Sequence, residues 1–93
     1  MTVRESAVAA EILRIAHDDL GIDGQPDAAE ALQGALDSLQ LLSLVVAVED
    51  RFRIVLEDDD AARARSVEDL ARIVASRADP ALLPAPAVEA RSP

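Results

Sequence analysis

Apolar residues recur at helical spacing in three stretches of this chain, and nowhere do they alternate over a length that would make a strand. In the first, Thr2-Val3-Arg4-Glu5 has the form of a capping box. Val8, Ile12, Ile15 and Ala16 then predict a helix over residues 3–19, with Gly21 as its stop. In the second, Asp37 has the short acceptor side chain of an N-cap and Gln40 stands three residues on, so a helix is predicted over 38–52. Its core stripe is expected to comprise Leu39, Leu42, Leu44, Val48 and Phe52. Apolar residues cover more of its circumference than one core face needs, so part of it is expected to stay exposed for partners. In the third, Ser66 caps a helix to about residue 78 that presents Val67, Leu70 and Val74 on one stripe with Ala71 beside them.

Between these stretches, residues 21–36 hold all three glycines and Pro26 without a sustained period. They read as a long surface loop with Ile22, Leu32 and Leu36 tucked inward. Glu57-Asp58-Asp59-Asp60 leads into a brief helix around 59–63. From Asp79 to Pro93, four of the five prolines stand among alanines, which predicts a disordered tail. The expected architecture is all-α, a small four-helix bundle with three main helices and one short one. Residues 1–78 form its domain and 79–93 its tail.

Composition narrows the chemistry. Ninety-three residues support one small domain, and Phe52 is the sole aromatic residue, so the core must be built from Leu, Ile, Val and Ala. The formal charge of −9 argues against a nucleic-acid backbone as partner and points to partners with basic patches. Cysteine is absent, so thiol chemistry would have to come from an attached group. No apolar run reaches the roughly 18 residues of a membrane span and no signal-peptide pattern opens the chain, so a cytoplasmic monomer without a membrane role is expected.

Ser38 carries the clearest chemical signal. Placed at the first turn of a helix, its hydroxyl lies beside unpaired backbone N–H groups and the positive end of the helix dipole. A phosphate ester formed there would gain roughly 0.3–1 kcal/mol. Neither His nor Lys is near it in sequence, and the one histidine, His17, falls near the end of the first helix, where its interaction with the dipole accounts for it. A serine-hydrolase triad is therefore not expected, and no residue is assigned a catalytic role. Glu57–Asp60 lacks the alternating ligand spacing and glycine of a calcium loop and reads as a solvated acidic turn, so no metal site is assigned. Asp37, Glu49 and Asp50 have two readings, a recognition surface for basic partners and an ordinary solvated helix face. Leu41 has two readings, a partner contact or gate to a cargo pocket, and a cover over the loop before the second main helix.

Gly34-Ala35-Leu36-Asp37-Ser38-Leu39, followed by Leu42, Leu44, Glu49 and Phe52, resembles the phosphopantetheine attachment region of acyl carrier proteins and the related peptidyl and aminoacyl carriers. Ser66-Val67-Glu68-Asp69-Leu70 resembles the start of that family's last helix, and Leu20-Gly21-Ile22 the end of its first. The resemblance spans about residues 5–78. It implies a covalent 4′-phosphopantetheine on Ser38, flanked by Asp37 and Leu39, added by a phosphopantetheinyl transferase. It also implies that the chain delivers a thioester-bound group to loading, condensing or tailoring enzymes rather than catalysing a reaction. Gln40, Leu41, Ser43, Glu49 and Asp50 become the expected partner-recognition residues. Gln40 and Ser43 are neutral where carriers of primary fatty-acid synthesis commonly have acids. The pattern therefore resembles free-standing carriers of polyketide or nonribosomal peptide type more closely. A primary fatty-acid carrier, or an unmodified acidic helical adaptor, are the alternatives.

Overall fold

The computed structural model describes residues 2–22 and 32–84. Its order is α1 (Val3–Arg14) continued by a π-helical turn (Ile15–Asp19), α2 (Leu32–Ala35), α3 (Ser38–Phe52), α4 (Asp58–Arg63), α5 (Val67–Arg77) and a 3-10 turn (Pro80–Leu82). Among the described residues there is no strand, and the all-α bundle of three main helices and one short one is present. No helix among them is long and apolar enough to cross a membrane.

The caps begin the helices where the sequence places them. Thr2 Oγ1 accepts from the Glu5 N–H at 3.0 Å while Glu5 accepts from the Thr2 N–H at 2.9 Å, and Ser66 Oγ accepts from the Asp69 N–H at 3.2 Å. The first helix runs to Asp19 as expected, but its last turn widens. Leu20 N–H donates to the Ile15 carbonyl five residues back and Ile22 N–H to that of Ala16. Ile15 and Ala16 are both buried in this wider turn. Gly21 then ends the helix at φ 64, a conformation that costs glycine nothing.

Packing follows from the stripes. α1 lies mainly against α5, the π-helical turn against α3, and α4 against α5. Val8, Ile12, Ile15, Leu44, Val48, Phe52, Val67, Leu70 and Val74 are buried, and Ile22, Leu32 and Leu36 tuck inward as the loop reading requires. Two expectations are corrected. Leu39 and Leu42 do not belong to the core stripe: they are 73% and 60% exposed, and with Val46 they form an apolar strip on the outer face of α3. Leu44, Val48 and Phe52, four residues apart, are the true inward set. The loop before α3 is also not wholly irregular, since α2 closes one turn with Leu36 N–H donating to the Leu32 carbonyl.

The start of the expected tail is ordered too. Asp79 caps the 3-10 turn through the Ala81 N–H, Ala78 is buried, and Leu83 packs half-buried against the core. Arg51 ties this turn down, donating to the Leu82 carbonyl at 3.0 Å and to Glu11 at 3.1 Å while lying over the Phe52 ring. Residues 85–93 of the expected tail lie outside the described residues. Removing Leu83 and the Arg51 contact discards about 1–2 kcal/mol of apolar burial and hydrogen bonding. A chain ended after Ala78 should therefore melt several degrees below the full chain, whereas one ended after Pro84 should melt with it. Equal melting of all three would show that the turn adds nothing.

Candidate functional site

Asp37 determines where Ser38 stands. Its Oδ1 accepts from the Gln40 N–H at 2.8 Å, its own N–H donates to Gln40 Oε1 at 3.1 Å, and its carbonyl accepts the first helical bond, from Leu41. The reciprocal cap locks the chain into α3 at the next residue, so Ser38 occupies the first helical position, exposed, where N–H groups have no acceptor within the helix.

Beside Ser38 opens a cleft of about 590 Å³. One wall is α3, through Leu41, Leu42, Val45, Val46 and Glu49. The other is the stretch from Leu56 to Arg65, including Ala61, Ala62 and Ala64, while Leu32 and Leu70 also line the space. Small side chains on α4 leave the room that larger ones would fill. The two walls run in opposite directions. Leu56 N–H donates to Glu49 Oε2 at 2.8 Å at the far end of α3, and the Arg65 carbonyl accepts from the Leu32 N–H at 2.8 Å just before the Ser38 end.

α4 is too short to hold its shape unaided, and Asp60 fixes it in place. This residue is buried, which corrects the reading of 57–60 as a wholly solvated acidic turn. Arg77 grips both of its carboxylate oxygens, Arg63 donates to Oδ1 at 3.2 Å, and Oδ2 accepts from the Glu57 N–H at 3.0 Å. The Arg77 hydrogen bonds, above all, hold the Asp60 carboxyl well below the usual carboxylate range against the opposing effect of burial. Glu57, Asp58 and Asp59 are exposed, as expected.

The sequence-derived site residues thus divide. Ser38, Leu41 and Glu49 meet at the cleft; Leu41 packs partly on the core, and Glu49 spends one oxygen on the Leu56 N–H. Asp37 and Gln40 are occupied with each other in the cap. Leu39 and Asp50 are exposed and Ser43 is half-buried, and none of these three lines the cleft. His17 is exposed at the end of the first helix, with Nδ1 2.8 Å from Asp18 Oδ1. Sequence reasoning missed the opposite wall. Its only signal was the run of small residues Ala61, Ala62 and Ala64 after an acidic turn.

The family model that matches residues 6–74 is described as a phosphopantetheine attachment site. An acyl carrier protein of Solidesulfovibrio magneticus is 35% identical over 66 residues, covering 68% of this chain and 85% of the relative. One from Nitratidesulfovibrio vulgaris is 30% identical over 74 residues, covering 76% and 97%. The acyl carrier protein MbtL of Mycolicibacterium paratuberculosis is 33% identical over 75 residues, covering 77% and 84%. No solved structure matches.

The charge on Asp60 makes a pH test of this geometry. Because its folded-state affinity for protons is depressed, its contribution is complete above the ordinary carboxylate range and is lost as pH falls below about 4. Asp60→Asn should melt several degrees lower than the parent at pH 7, with the gap narrowing as the solution is acidified from pH 4 to pH 2. A gap that stays constant over that range would mean that the ion pair does not hold α4.

Proposed function

This chain belongs to the phosphopantetheine-binding acyl carrier protein family, with 4′-phosphopantetheine as its covalent cofactor, and from that premise we propose that Ser38 is the attachment residue. What supports this is the cap: Asp37 and Gln40 present one serine hydroxyl, exposed, at a helix start and at the edge of an apolar cleft. The residues fit the group. An exposed Oγ can supply the ester oxygen, and the N-terminus of the fifteen-residue α3 favours the negative charge that the ester carries. When bound, the cofactor supplies the thiol that this cysteine-free chain lacks.

The chain's own residues then position and present. Acyl carrier proteins are carriers rather than enzymes, and a tethered group is offered to docked partners at a raised local concentration. Partners are a phosphopantetheinyl transferase and the enzymes that load, condense or tailor the cargo. The docking face is the exposed strip Leu39, Leu42 and Val46 with Asp50 as its acidic contribution. Gln40 is committed to the cap and Ser43 is neutral, so α3 offers few charges to a partner. That neutrality supports a carrier of acyl or aminoacyl groups in a specialised-metabolite pathway, of polyketide or nonribosomal peptide type, over primary fatty-acid synthesis.

Two measurements test the reading. Incubation with coenzyme A and a broad-specificity transferase should add one phosphopantetheine unit to the protein by intact mass, and nothing to Ser38→Ala. Addition to Ser38→Ala would overturn Ser38 as the attachment residue, and no addition to the parent would favour an unmodified adaptor. For docking, Leu42 is the better probe than Leu41, because Leu41 also packs on the core. Leu42→Asp should slow transfer to a cognate enzyme at least tenfold, equivalent to about 1.4 kcal/mol, with helical content unchanged. Asp50→Asn should have a smaller effect that disappears at high salt. The opposite ranking would make recognition electrostatic.

A further inference from the structure

We propose that Arg65 is the counter-cation for the phosphodiester carried on Ser38, a positioning residue that holds the root of the arm at the cleft mouth. The inference rests on Ser38 being the attachment residue and goes beyond it, to how the attached anion is held.

Three observations carry it. Arg65 lines the same cleft as Ser38 and is the only arginine that does so among the described residues. It lies at the Ser38 end, because its carbonyl accepts from the Leu32 N–H, and Leu32 begins the single turn that leads directly into the Asp37 cap. The acidic lining residues Glu49, Glu57 and Asp58 gather at the other end, since Glu49 is eleven residues along α3 from Ser38, about 16 Å, and accepts from Leu56. The cleft is thus electrically polarised, with the α3 N-terminus and Arg65 at one end and carboxylates at the other. Third, Arg65 is unspent. Arg14, Arg51, Arg63, Arg72 and Arg77 each pair with a carboxylate, whereas the Arg65 guanidinium has no carboxylate partner among the described residues. Arg53 is likewise without a carboxylate partner but stands outside the cleft, so among the described residues Arg65 is the unpaired cation at this site.

The backbone fixes where that cation starts from. Ala64 adopts φ −84 and ψ 70, an inverse γ-turn in which the Arg65 N–H donates to the Arg63 carbonyl at 3.0 Å, and the same N–H donates to Asp69 Oδ2 at 3.2 Å. These contacts use the peptide alone and leave the exposed side chain free to turn toward the cleft mouth. Arginine suits the task because its planar fork matches two phosphate oxygens at once, which lysine cannot do. An arm paired at its root is directed along the apolar cleft rather than away from the protein.

The test is phosphorus NMR of the protein loaded with coenzyme A and transferase, taken native and in urea. The diester resonance of the native parent should be offset from its denatured position and broadened by restricted motion. Arg65→Gln should lose most of that offset and narrow. Arg65→Lys should fall between, and Arg53→Gln, which changes an exposed arginine outside the cleft, should match the parent. Raising salt from about 0.02 to about 0.5 M, where screening shortens to a few ångströms, should move the parent toward the Arg65→Gln position. Circular dichroism checks that helical content is retained. If loading is at Ser38 and the Arg65→Gln resonance coincides with the parent's in shift and width, the role of Arg65 is refuted while the attachment reading stands. Loading at another residue overturns both.

Discussion

The buried carboxylate of Asp60 is the constraint on which the shape of this site depends. It is the only ionised side chain buried among the described residues, and each of its oxygens is taken by Arg77 and by a second donor. Desolvating two charges cancels much of their attraction, so such a pair contributes position more than net stability. What it positions is α4, six residues that could not remain helical alone and that bring little apolar surface to the core. Held to α5 rather than collapsed onto α3, α4 leaves the cleft open, with alanines where bulkier side chains would close it.

The Ser38 side of the site rests on different physics. α3 is anchored by Leu44, Val48 and Phe52, begun by the Asp37 and Gln40 cap, and ended where Arg53 turns left-handed at φ 57 with Ile54 N–H donating back to Glu49. The presentation of Ser38 therefore depends on a local cap and a stable helix, whereas the space beside it depends on one long-range ion pair. A carrier gains from this division. Ser38 is held by its own cap, while the width of the space beside it is set separately by Asp60 and Arg77.

How much of this could be read from the sequence followed from the range of the interactions. Caps are local, so the starts of α1, α3 and α5 were legible from Thr2, Asp37 and Ser66, and Ser38 was legible with them. Gly21 marked its stop for the same reason. The inward face of α3 was only half legible. Apolar residues surround that helix, and nothing local separates Leu44 and Val48 from Leu39 and Leu42 until the π-helical turn and α2 pack against one side. α2 contains Gly34, and its single turn is supported by the Leu32 N–H reaching the Arg65 carbonyl, thirty-three residues on. The ordered turn after Ala78 was obscured by its prolines, although Leu82 and Leu83 offered the apolar contact. The partnership of Asp60 with Arg77 had no sequence signal at all, because an acidic run looks solvated until its partner arrives from another helix.

Asp60 holds the cleft wall without holding α3. Native-state hydrogen exchange at neutral pH, comparing the parent with Asp60→Asn, tests it most directly. The amides of Ala61 and Ala64, which close α4 through the Glu57 and Asp60 carbonyls, should lose protection much more than those of Leu44 and Val48 in α3. An equal loss across α3 and α4, or protection of α4 unchanged by the substitution, would contradict it.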